Sequence, residues 1–312
     1  RAYFVVRDHS SLIAFRTVSR ELLVENGFRL IGAHVDSPGM RVKPRGITAK
    51  GEHVRVGVEV YGGPILASFT DRDLSLAGRV VLRDPARPKG VCVKLVQFDE
   101  ALLRLPNAAI HLNREVNEKG LKLNKQDELP LLLSAVEEGL APLARFHQLI
   151  AEAAEREVED LLSWDLAVYD TQPGQFFGLE QEFYADSQID NLASCHAALN
   201  ALFELSDEEL QAVPVCAFFD HEEVGSTSAK GAAGSFLPDV LERIAAATGL
   251  GGDDYKRVCA GSNLLSVDMA HGWHPGFARW YDDDHPVYLN QGPAIKINAN
   301  QRYTSDGVTA AS

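Results

Sequence analysis

Three apolar runs in this chain each end on side chains able to bind a cation or move a proton. Phe28 to Ala33 runs into His34 and, two residues on, Asp36; Pro214 to Phe219 runs into Asp220-His221-Glu222-Glu223; Asn263 to Val267 runs into Asp268. A fourth segment, Asp190-Asn191-Leu192, sets a carboxylate ahead of a helical pattern. Imidazole nitrogen with several carboxylate oxygens is a donor set suited to zinc or to the harder divalent metals. In the His34-x-Asp36 pair the carboxylate is expected to bond the far ring nitrogen, fixing the tautomer and freeing the other nitrogen for a metal. Asp190 reads either as a ligand or as the N-cap of the helix that follows it. Glu222 and Glu223 repel one another and are costly to bury, so they need solvent or a bound cation. At a strand end one of them can bind a metal while the other takes the proton of an attacking water.

The elements that would hold these residues are short β-rich runs alternating with helical patterns, notably Asn191 to Leu205 and Leu237 to Thr248. That alternation predicts an α/β fold with a mainly parallel sheet of buried strands flanked by helices, its ligands binding beyond the carboxyl ends of the strands. A stretch rich in Gly, Pro and Arg interrupts it, with β-like runs at His53 to Tyr61, Gly78 to Leu82 and Cys92 to Phe98. Helical segments are expected around Leu129 to Glu138 and His147 to Leu162, with Glu152 to Asp160 as a solvated acidic face. This reads as an inserted α+β, β-rich lobe over 39–166, which leaves a discontinuous α/β domain of residues 1–38 and 167–312.

The chain has 312 residues, 46% of them hydrophobic, and its 44 acidic against 30 basic residues leave a formal net charge of −14. A chain this apolar can bury a full core. The acidic balance argues against nucleic acid or an anionic membrane as partner, and the longest apolar runs are strand-sized, far short of the roughly 20 residues of a membrane helix. Four cysteines with no C-x-x-C pair fit reduced thiols and a cytoplasmic protein. The chain opens at Arg1 in what reads as a strand already under way and closes without a terminal element, so it is expected to be part of a longer polypeptide.

These segments, taken in order with Val58-Glu59-Val60-Tyr61-Gly62-Gly63, Asp71-Arg72-Asp73-Leu74, Ala109-Ile110-His111-Leu112-Asn113-Arg114, Asp170-Thr171-Gln172-Pro173, Ile295-Lys296-Ile297-Asn298 and Asn300-Gln301-Arg302-Tyr303, strongly resemble the aspartyl aminopeptidases. The likeness runs from about Arg1 to Tyr303. It implies a cocatalytic two-zinc exopeptidase that removes N-terminal Asp or Glu from peptides, with Co2+ or Mn2+ as possible substitutes for Zn2+. By the same resemblance His34 and Asp268 bind one zinc, Glu223 the other, Asp190 bridges both and Glu222 is the general base. His271, Lys296 and Tyr303 would contact substrate, and His111 would reach a neighbouring subunit's site from the inserted lobe, which would serve dimerisation. Lys296 would supply the local positive charge that a −14 protein needs to hold an acidic side chain. Asp36 and Asp220 are expected to support the ligands from behind. The implied assembly is a symmetric homo-oligomer built from dimers, commonly a dodecamer.

The same resemblance calls for a fifth ligand, a His in a Met-His-Ser type segment, which these 312 residues do not contain. A catalytically inactive relative that binds peptides, or an aminopeptidase or deacylase with other substrates, therefore stands as the alternative. No role is expected for His221 or His274.

Overall fold

In the computed structural model, which describes residues 1–297, two β-sheets with separate cores carry the chain. The first is ordered β1 (Ala2–Arg7), β2 (Ser11–Arg16), β12 (Val213–Phe219), β3 (Phe28–His34), β13 (Asn263–Ser266). The strands β12, β3 and β13 run parallel, and Phe219 lies opposite His34 in the register. The hairpin of β1 and β2 joins that trio antiparallel to β12. The α/β expectation holds, with the parallel order confined to the three strands that end on the candidate ligands.

Alternation along these strands feeds two faces. Ile13, Phe15, Val215, Ala217 and Phe219 pack with Leu23 of α1 (Arg20–Asn26), with Val240 and Ile244 of α5 (Phe236–Ala247) and with Val258 of α6 (Gly252–Ala260). Ala14, Cys216 and Phe218 face the other way, onto Cys195, Ala198 and Leu202 of α4 (Ile189–Glu204). Ser19 caps α1 by accepting from the Leu22 N–H, and α5 gives way to Gly249 at φ 79°.

The second sheet has six strands, ordered β7 (Val91–Gln97), β6 (Leu74–Arg83), β9 (Leu161–Asp170), β4 (Gly39–Lys50), β5 (His53–Tyr61), β8 (Leu131–Ala135), every pair antiparallel. Its apolar face packs on Phe146 and Ile150 of α3 (Pro142–Ala153). A small helix, α2 (Val116–Lys119), a short hairpin of β10 (Gln175–Phe177) and β11 (Phe183–Ala185), and four 3₁₀ turns complete the elements of the described residues.

Three local expectations fail. Residues 129–138 form no helix but carry the strand Leu131–Ala135: Leu131 is fully buried and pairs with Val56, and edge pairing on β5 overrides a run too short for a stable helix. The helix expected over 147–162 starts earlier, with Pro142 in its first turn, and stops at Ala153; residues 161–162 already belong to β9, so the acidic segment is the end of α3, a turn and a single 3₁₀ turn over Val158–Asp160 rather than one continuous helical face. The third strand of the parallel trio is short and exposed, with Leu264 58% and Leu265 61% accessible, and lies at the edge of its sheet.

Candidate metal centre

His34 closes β3 and is buried, and its backbone carbonyl accepts from Cys195 Sγ at 3.2 Å. Nε2 faces two carboxylates, Asp190 Oδ1 at 3.2 Å and Asp268 Oδ1 at 3.4 Å. These three residues bring one ligand atom each within 4.8 Å of one another, and His34 with Glu222 and Glu223 does the same. One imidazole thus stands between four carboxylates, supplied by the carboxyl ends of three parallel strands and the start of α4.

Asp190 is not an N-cap. The start of α4 is irregular, with Gln188 preceding it at φ 66°, and Asp190 itself lies outside helical geometry with its carboxylate turned toward His34. Ser37 Oγ donates to the Asp190 carbonyl at 3.0 Å, and the buried Asn191 donates through Nδ2 to the Val267 carbonyl at 2.9 Å. These bonds tie the start of α4 to the ends of β3 and β13. Asp268 is aimed by the Met269 N–H, which donates to its Oδ1 at 2.8 Å.

The His34–Asp36 arrangement departs from expectation. Nδ1 bonds the backbone carbonyl of Asp36 at 2.9 Å, while the Asp36 carboxylate stands off at 3.6 Å. The tautomer is still fixed, by a main-chain acceptor. The carboxylate of Asp36 instead accepts from the Tyr61 hydroxyl at 2.6 Å and from the backbone N–H groups of Glu222 and Glu223, both at 3.1 Å. Burial alone would raise its pKa, but His34, Tyr61 and those two amides hold it down at about 2. Asp220, also buried, accepts from the His221 N–H at 2.9 Å and lies 3.6 Å from Lys230 Nζ. Its bonds support His221, whose ring bonds Ser228 at 2.7 Å and leans toward Tyr61, rather than the ligand side chains.

The electrostatics fit a cation. Burial and the neighbouring charge of Asp268 raise the pKa of Asp190; burial and the charge of Glu222 raise that of Glu223. Burial opposes a charge on His34, yet Asp268 and Asp36 overcome it and push its pKa up to about 11. Four carboxylates with a single imidazolium leave negative charge unbalanced, and a divalent ion on these oxygens that takes the place of the Nε2 proton relieves it.

The remaining expected site residues lie apart. His111 is exposed in a turn of the inserted lobe, His271 is exposed in the loop after Asp268, and Lys296 is exposed near the end of the described residues. Neither histidine joins the ligand groups among the described residues. Tyr303 lies outside the described residues. Tyr61 was not legible as a site residue, because its partner Asp36 belongs to a different sheet and neither side chain carries a sequence mark of the other.

A histidine and carboxylates gathered at the carboxyl ends of parallel strands, with adjacent glutamates on one loop, define a metallohydrolase type of centre in an α/β fold. The chain matches the aminopeptidase I zinc metalloprotease (M18) family over residues 1–312, and it belongs to that family of zinc metallopeptidases. It is 46% identical over 312 residues to a probable M18 family aminopeptidase 2 of Ectopseudomonas mendocina, covering 99% of this chain and 70% of that protein. A chain in the cryo-EM structure of the Ape4 and Nbr1 complex superposes with a TM-score of 0.91 at 34% identity, over 99% of this chain and 62% of that one. The S. cerevisiae mApe1 dodecamer matches with a TM-score of 0.84 at 26% identity, over 99% of this chain and 70% of that one.

Proposed function

We propose that the protein is a metal-dependent aminopeptidase that removes an N-terminal acidic residue from peptides. The observation that carries this reading is the convergence of Asp190, Asp268, Glu222 and Glu223 on the buried His34 ring. His34 and Asp268 would hold one ion and Glu223 another, with Asp190 shared between them. When bound there, divalent ions would supply Lewis acidity toward the scissile carbonyl and lower the pKa of a water. Glu222 receives the proton of the attacking water and returns it to the departing amine. Lys296 and His271 contact the substrate, with Lys296 facing its acidic side chain. Zinc is the resident metal of the family; the oxygen-rich donor set also admits cobalt or manganese.

The working protein is a homo-oligomer assembled from dimers through the inserted lobe, with His111 serving a neighbour's site. The mApe1 relative is a dodecamer, which supports that reading. Free cysteines at all four positions support a cytoplasmic setting. No helix among the described residues is long and apolar enough to cross a membrane.

Release of free Asp from an N-terminal Asp peptide by the full-length protein tests the reaction. Chelator should abolish release and added zinc or cobalt should restore it, with a Leu peptide and an N-acylated peptide cleaved far more slowly. Equal rates on all three substrates would overturn the acidic specificity. Release unaffected by chelator would overturn the metal mechanism.

A further inference from the structure

The inserted sheet reaches the carboxylate cluster through one corner, at the end of β5. Tyr61 closes that strand and donates its hydroxyl to Asp36 at 2.6 Å. The two oxygens of Asp36 also take the N–H groups of Glu222 and Glu223, so this carboxylate links the tyrosine hydroxyl to the peptide units that carry both glutamates. The Tyr61 ring is itself anchored. The Arg41 guanidinium lies 4.1 Å over it, Asp165 fixes that guanidinium at 2.6 Å, and Arg79 holds Asp165 from the other side at 2.7 Å.

Glu222 and Glu223 need such tethers. They sit in a single 3₁₀ turn over Glu222–Val224, between His221 at φ 67° and Gly225 at φ 99°. One turn has little helical cooperativity of its own, so outside bonds fix where its side chains point. Gly62 bears on the same turn from the side-chain direction. At φ 66°, a Cβ on Gly62 would stand 3.0 Å from Glu223 Cβ and 3.3 Å from its Oε2.

We propose that Tyr61 and Gly62 are positioning residues for the glutamate pair, Tyr61 through Asp36 and Gly62 by leaving room for the Glu223 carboxylate. The inserted lobe would then take part in building the site. The roles assigned to the two glutamates rest on the aminopeptidase reading; their placement does not.

Tyr61→Phe keeps the ring beneath Arg41 and removes only the donor to Asp36. In the full-length protein it should lower kcat by about 10- to 100-fold with KM little changed, and weaken zinc in a chelator competition by about 10-fold, the range seen for partners that orient metal ligands. Gly62→Ala should weaken zinc in the same competition by crowding Glu223. Tyr169→Phe is the control: its hydroxyl bonds the Phe98 carbonyl in the same sheet, so its loss should alter melting temperature but neither zinc affinity nor kcat. If no peptide is cleaved, the functional reading fails while the zinc competition still decides the positioning. Unchanged zinc affinity in both Tyr61→Phe and Gly62→Ala would overturn the proposal, as would equal losses in Tyr61→Phe and Tyr169→Phe.

Discussion

At the scale of single residues, the account turns on His34, the one member common to both groups of ligand atoms. His34→Ala, like Asp268→Ala, should lose the ion those two residues share and spare the one at Glu223, whereas Asp190→Ala, which removes the carboxylate between the two, should weaken both; metal stoichiometry after dialysis checks this. Specificity is a separate matter. Lys296→Leu should cut hydrolysis of Asp peptides far more than of Leu peptides, and equal loss on both would refute its role in reading an acidic side chain. The candidate ligands were legible in the sequence because three of the segments follow apolar runs, where gathered carboxylates are costly without a counter-charge. The bonding of Asp36 was not legible. Its spacing to His34 suggested a side-chain contact, but the chain turn after β3 delivers the Asp36 carbonyl to Nδ1 and turns the carboxylate toward β5 and the Glu222–Glu223 turn.

Elements decide whether those residues meet. Phe28 starts β3 fully buried between α1, α6 and the sheet, and Phe28→Ala should cost about 3–5 kcal/mol. Urea unfolding measures this, and a loss well under 1 kcal/mol would show that β3 does not depend on that packing. In the inserted sheet, Asp165 on β9 accepts from Arg41 and Arg79. Burial raises its pKa, but the two guanidinium groups outweigh that and hold it below the ordinary carboxylate value. Its stabilising contribution is therefore complete above about pH 4 and fades as pH falls through the lowered folded value. Asp165→Asn should lower the melting temperature at pH 7, and the gap to wild type should close as acid is added; a gap independent of pH would contradict the ion-pair reading. Helices α4 and α5 were legible because their apolar spacing matches the helical period. The strand β8 and the early stop of α3 were not, since Leu131 to Leu133 is an apolar run without period and only the neighbouring β5 makes it a strand.

For the whole molecule, a net charge of −14 disfavours anionic partners, and the acidic substrate proposed above would require local positive charge at the site. If His111 serves a neighbouring subunit, the active form is an oligomer. Light scattering should then find an assembly at micromolar concentration, and His111→Ala should lower turnover without dissociating it. A fully active monomer would exclude that role. Across all scales the central claim is a division of labour at one turn: Glu223 holds metal and Glu222 moves the proton. Metal content and turnover of Glu222→Gln beside Glu223→Gln test it most directly. The account predicts that Glu222→Gln keeps its full metal content and loses turnover by about 10²- to 10⁴-fold, whereas Glu223→Gln loses an ion. Near-normal turnover in Glu222→Gln, or full metal content in Glu223→Gln, would contradict it.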